Sequence, residues 1–210
     1  MDIAYLAIVL VVILISMTLH EAMHGFMAYW LGDDTAKLEG RLTLNPLKHI
    51  DPFLTIILPV VLALAHAPVF GGAKPVPFNP ARVRGEEWGS ALVALAGPLT
   101  NFILAFVGFG LLVFIAPQDG SILRTFLETH VGVNLGFFVF NMIPIPPLDG
   151  SRVVYALAPE FVRRGMEAIE RYGVLLVFAI VLFASSFIGA FMGSAIDGIV
   201  RFFAMIFGAQ

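Results

Sequence analysis

Ile13-Leu14-Ile15-Ser16-Met17-Thr18-Leu19-His20-Glu21-Ala22-Met23-His24 decides how this chain is read, because an apolar run passes without any Pro or Gly into two histidines and a glutamate. The run extends from Ile3 to Leu31, and a helix that spans a bilayer needs about 20 largely apolar residues. The whole chain is 59% hydrophobic and 13% charged, with a mean hydropathy of +0.93. A soluble domain has roughly 45–50% apolar and 25% charged residues. Composition therefore places the chain in a membrane, and the run places its ionisable cluster inside it. The sequence opens Met1-Asp2 with no basic n-region, and its apolar run outlasts a signal-peptide core, so the segment reads as a retained helix.

His20 and His24 stand at i and i+4, on one helical face, where two imidazoles can hold a single ion. Glu21 lies beside them. Two histidines and a glutamate in this order match the zinc-hydrolase pattern, in which bound metal acidifies water and the glutamate accepts its proton. An idle cluster of this kind is expensive, since each ionisable group at mid-membrane costs on the order of 2.5–3.5 kcal/mol on insertion scales. A catalytic zinc takes three protein ligands and keeps one position open, and the residue six places after His24 is Trp30, not a third histidine. The chain has no cysteine, so a third ligand comes from the remaining histidines or acids. Asp149 is the best candidate, because Pro144, Pro146 and Pro147 free the backbone before it and Gly150 permits a sharp turn after it. Asp197 is a weaker alternative. His49, His66 and His130 read as interfacial residues at helix ends.

Elsewhere the apolar segments Trp88–Pro117, Val131–Pro147 and Gly173–Met192 read as further spans, with shorter ones at Phe53–Pro68 and Ala195–Phe207. Alternation of apolar and polar residues over Thr35–Leu44, around Glu39-Gly40, predicts a short β-hairpin. Gly71–Pro80 is too rich in Gly and Pro for a helix and reads as extended chain. Gln118–Glu128 reads as a simple connection, and Pro159–Arg171 as a surface helix. The expected fold is an all-α integral membrane protein of one domain over residues 1–210. It would be a bundle of about five to six transmembrane or re-entrant helices with a short membrane-associated β-hairpin.

His20–Gly25, Gly97–Asn101 and Asn141–Gly150, in that order, resemble the motifs of the site-2 protease family of intramembrane zinc metalloproteases. The resemblance covers about residues 5 to 155. It implies that His20, His24 and Asp149 bind one Zn2+, that Glu21 is the general base, and that Asn141 and Asn101 contact substrate or the tetrahedral intermediate. It also implies that the partner is a transmembrane helix of a membrane-protein substrate within the lipid bilayer, with no nucleic acid involved. The hairpin Ala36–Leu44 resembles a re-entrant β-element that would pair with an unwound substrate strand. Larger relatives carry a PDZ or CBS domain, for which this chain has no room. The alternative from the residues alone is a metal-ion transporter or metal-binding membrane protein, and Glu21 separates the two, because only hydrolysis needs a base.

Geometry constrains the topology. His24 lies eight residues before Gly32, about 12 Å in from that end of its helix at 1.5 Å per residue, and Asp149 must reach the same depth. A full crossing by Phe53–Pro68 would deliver Asp149 to the opposite face, some 25–30 Å away. A re-entrant dip brings it back, and Pro59 and the short length favour the dip. That arrangement gathers Lys37, Arg41, Lys48, Lys74, Arg82, Arg84, Arg152, Arg163, Arg164 and Arg171 on one face, ten of the twelve basic residues. Cytoplasmic loops collect Lys and Arg, so the multi-pass chain is expected in the cell membrane with its active site nearer the cytoplasm.

Overall fold

The computed structural model describes residues 3–57, 61 and 72–209. Helix α1 (Ile3–Trp30) buries Val12, Ser16 and His20, one turn apart on a single face, while Leu6, Leu10, Val11 and Ile15 are exposed on the others. A helix this apolar on its exposed side is suited to lipid contact. After the short helix α2 (Thr35–Leu38), helix α3 (Glu86–Ile115) runs antiparallel to α1 and carries Gly97, Asn101, Ala105 and Gly108 along its buried face. Small residues at this spacing let helix backbones approach closely in a membrane. Helix α4 (Ile122–Asn141) returns along α3, so that residues 20, 101 and 134 lie at one level.

The chain then turns through helices α5 (Gly150–Leu157) and α6 (Glu160–Glu170) into α7 (Gly173–Phe183) and α8 (Ser185–Phe207). Helix α8 docks through Phe203, fully buried against Ala105, Val131 and Leu135, with Phe102 and Phe106 at 5.3 and 5.1 Å between ring centroids. Among the described residues three helices, α1, α3 and the last, are long and apolar enough to cross a membrane. The expected count of about five to six included re-entrant helices and a segment that lies mostly outside the described residues. Helix α4 begins at Ile122, inside the segment read as a connection, because Ser121 caps it by accepting from the Arg124 amide. Its first half carries Arg124, Glu128 and His130 and so interrupts the apolar run. The segment Gly173–Met192 breaks at Ala184 into α7 and α8.

No strand occurs among the described residues, and the expected hairpin over Ala36–Leu44 is replaced by α2 and a turn. Asp33 explains why. Its Oδ1 accepts from both the amide and the hydroxyl of Thr35, at 3.0 and 2.5 Å, which starts a helical turn instead of a strand. Gly40 then adopts φ +65, its amide bonding Lys37 O while that of Arg41 bonds Ala36 O. This is the hydrogen-bond pattern of a helix C-cap, so Glu39-Gly40 terminates a helix where the alternation suggested a hairpin turn.

The expected dip over Phe53–Pro68 lies, apart from Phe53–Ile57 and Val61, outside the described residues. Its described flanks meet: the Gly72 amide donates to Leu54 O at 3.1 Å, and Thr55 Oγ1 donates to Gly72 O at 2.6 Å. Gly72 to Asn79 then runs extended, as composition predicts, and crosses the C-terminal half of α1. Further contacts anchor this strap, among them Lys74 N to His49 O at 2.8 Å, Arg41 Nη2 to Lys74 O at 2.7 Å, and Asn79 N to Asp33 Oδ2 at 2.5 Å.

Candidate metal centre

His20 and His24 arrive on one face of α1 by helical periodicity, and their Nε2 atoms lie 3.0 Å apart. Asp149 arrives from 129 positions further along the chain. Its approach depends on the turn after α4, where Gly150 packs so tightly against Met142 that a Cβ there would meet Met142 O at 2.4 Å. With that loop closed, Asp149 Oδ2 stands 3.3 Å from His20 Nε2 and 3.5 Å from His24 Nε2. The three edges, 3.0, 3.3 and 3.5 Å, compare with roughly 3.3 Å for a tetrahedral site built on bonds of about 2.0–2.1 Å.

Gly97 of α3 supplies the space. A Cβ on it would lie 2.4 Å from His24 Nε2 and 2.7 Å from His20 Nε2, so any larger residue would crowd both ring nitrogens. Donor chemistry agrees, since two imidazoles and a carboxylate suit zinc. Both imidazoles are held by their other nitrogen: His20 Nδ1 donates to Asn101 Oδ1 at 2.6 Å and His24 Nδ1 to Val93 O at 2.7 Å. Each Nε2 is thereby left with its lone pair, as a metal ligand requires. The side chains of His20, His24 and Asp149 retain 9%, 12% and 21% exposure, so the cluster is partly open at the protein surface.

Glu21 sits on the neighbouring face of α1, beneath the strap, where its Oε2 accepts from the Val76 amide at 2.9 Å. Gly25 allows this closeness, because a Cβ there would meet Val76 Cγ1 at 3.1 Å.

This arrangement agrees with what the chain is similar to. A Bacillus subtilis protein named "Putative zinc metalloprotease YwhC" is 40% identical over 212 residues, covering 97% of this chain and 92% of its own length. The chain belongs to peptidase family M50. The description "Peptidase family M50" matches residues 116–185, which contain the Asp149 turn. Rip2 of Mycolicibacterium smegmatis, named in the same terms, is 31% identical over 184 residues, covering 85% of this chain and 69% of its own. A Methanocaldococcus jannaschii relative, MJ0611, is 39% identical over 99 residues, about half of each chain. No solved structure matches the chain. This M50 member is a membrane zinc metalloprotease, a hydrolase of the site-2 protease type, with zinc as its cofactor.

The remaining residues singled out in the sequence fall in different places. Asn101 is fully buried behind His20. Asn141, on the last turn of α4, donates from Nδ2 to Phe137 O at 3.0 Å. Asp197 is exposed on α8. His49 is fully buried at the end of the short 3-10 helix Pro46–Lys48, where its Nε2 donates to Thr43 O at 2.8 Å and its backbone carbonyl anchors the strap. His130 lies within α4, bonded to Leu104 O at 3.1 Å, since that helix starts earlier than expected. His66 lies outside the described residues. Sequence reasoning passed over Ser16 and Asn134, both fully buried between helices. The available signal was a polar side chain within an otherwise apolar stretch.

Proposed function

We propose that this protease hydrolyses a peptide bond within a transmembrane segment of a membrane-protein substrate, on a zinc ion held by His20, His24 and Asp149. The observation that carries this reading is the convergence of three ligand atoms, two of them on a helix long and apolar enough to span a membrane and the third on the turn after α4. Zinc bound there supplies acidification of water and polarisation of a peptide carbonyl. Glu21 is the general base. With Oε2 held by the Val76 amide, its other oxygen takes a proton from the attacking water and returns it to the departing nitrogen. His24 is oriented by Val93 and His20 by Asn101, so the two imidazoles need no rearrangement to present Nε2. Asn141, half-buried where α4 leads into the Asp149 turn, is assigned to the substrate. Asn101 is assigned to holding His20.

The active site is nearer the cytoplasmic side. His24 lies six residues before the end of α1, roughly 9 Å along its axis. Gly72 meets Leu54 and Thr55, so these two described ends lie on the same face. Around that face gather Arg82, paired with Asp34 at 2.5 Å, Arg84 on Trp30 O at 2.7 Å, and Arg163 on Glu87 at 3.0 Å. Arg124 lies beyond the opposite end of α3, paired with Asp119.

Glu21→Gln tests the reading. The variant is expected to keep wild-type zinc content and lose cleavage of a model transmembrane substrate. Unchanged cleavage would remove Glu21 as the base.

A further inference from the structure

Behind His20 a chain of hydrogen bonds runs through three helices, and backbone carbonyls along it fix the direction in which the links run. Asn101 Oδ1 faces His20 Nδ1, while its Nδ2 faces Asn134 Oδ1 at 2.8 Å and Ser16 O at 3.4 Å. Asn134 Nδ2 in turn faces His130 O at 2.8 Å and Ser16 Oγ at 2.9 Å, with His130 Nδ1 at 3.3 Å. His130 Nε2 lies 3.1 Å from Leu104 O, a carbonyl, and so carries that ring's proton. Ser16, Asn101 and Asn134 are fully buried, where no water can substitute for a misdirected group.

Backbone carbonyls only accept. The carbonyl of His130 therefore forces Asn134 to turn its NH2 toward α4 and its oxygen toward Asn101. Asn101 must answer with its own NH2, which Ser16 O also demands, and its oxygen is then left facing His20. Only an imidazole protonated at Nδ1 satisfies that oxygen. Reversing either amide would set two oxygens against each other in a dry site, at the cost of unmade buried hydrogen bonds.

We infer that Asn134, acting through Asn101, selects the His20 tautomer that leaves Nε2 unprotonated for the metal before any metal arrives. Asn134 is a positioning residue: it touches neither substrate nor the three ligand atoms. The inference rests on His20 serving as a zinc ligand through Nε2. Groups standing behind a ligand in this way alter metal affinity about 10–100-fold when removed.

The test uses the full chain in detergent or lipid, with Asn134→Leu, which is close in size and has no hydrogen-bonding group. Two quantities are read: the tautomer of His20 from 15N chemical shifts in zinc-free protein, and the zinc dissociation constant from competition with a chelator. The wild type is expected to show a single Nδ1–H form. The variant is expected to show a mixture and to bind zinc about 10–100-fold more weakly. If Leu at this position prevents folding, Asn134→Ser, too short to reach Asn101, is read the same way. A His20 tautomer unchanged in the folded variant would overturn the inference. So would a changed tautomer with unchanged zinc affinity. His20→Ala is measured alongside: wild-type zinc affinity in that protein would overturn the ligand assignment itself, while the zinc-free spectra still report the relay.

Discussion

Gly97→Ala is the sharpest single perturbation, because one added methyl group would crowd both histidine nitrogens that face Asp149. Its Cβ would lie 2.4 Å from His24 Nε2, 2.7 Å from His24 Cε1 and 2.7 Å from His20 Nε2. Ordinary carbon contacts lie at about 3.5–4.0 Å, so both rings would have to retreat by about 1 Å. A shift of that size takes an Nε2 atom out of reach of bonds of about 2.0–2.1 Å. Retreat is also opposed, since His20 is tied to Asn101 and His24 to Val93. Helix propensity runs the other way and favours Ala over Gly by about 1 kcal/mol, so loss of folding is not the expected outcome. Zinc affinity should fall at least 100-fold, about 2.7 kcal/mol, and cleavage with it. The assay is metal content by mass spectrometry together with cleavage of a model transmembrane substrate. Gly136→Ala serves as control, because nothing lies within 4 Å of its added Cβ. A Gly97→Ala protein with stoichiometric zinc and full activity would refute the placement of the metal against Gly97.

Other expectations follow from the same geometry. Asp149→Ala should bind zinc far more weakly than wild type while α1 still folds, and full occupancy and activity would remove Asp149 as the third ligand. Asp33 ties the strap to the start of α2. Burial pushes its carboxyl up, but hydrogen bonds from the Thr35 hydroxyl and the Asn79 and Thr35 amides, with the charge of Arg82, hold it below the ordinary value. A lowered folded-state value means that its stabilisation is complete above about pH 4 and lost as pH falls through the folded value. Asp33→Asn should therefore lower stability by about 2 kcal/mol at neutral pH. The gap in melting temperature between the two proteins should close on acidification below pH 4, and a gap independent of pH would contradict the charge-based anchor. Because the chain contains no cysteine, Ala73→Cys gives a single label site. It should react with a membrane-impermeant thiol reagent only from the cytoplasmic side, and labelling from outside would reverse the topology.

The metal motif was legible because its logic is local. Helical periodicity alone puts His20 and His24 on one face, and an apolar run is visible without knowledge of its neighbours. Asp149 was legible for a related reason: three prolines and a glycine concentrate irregular backbone next to an acid. The hairpin misread Thr35–Leu44 because a short alternation fits a strand and a capped helical turn equally well. What separated them was the Asp33 carboxylate accepting from Thr35, a side-chain contact that no periodicity reports. The start of α4 was hidden in the same way, since Ser121 as a cap outweighed the polarity of Arg124 and Glu128.

Composition and spacing by themselves determined that the chain lives in a membrane and carries two imidazoles and a carboxylate on one helix. Those properties depend on residues within a few turns of each other. The tertiary structure alone decided that Gly97 lies against the two histidine nitrogens and that Val76 holds Glu21. It also decided that Asn101 and Asn134 stand behind His20. Each depends on an approach between segments distant in the chain, such as the bond from Asn134 to Ser16, 118 residues apart. Such approaches are set by how closely small residues let the backbones pack.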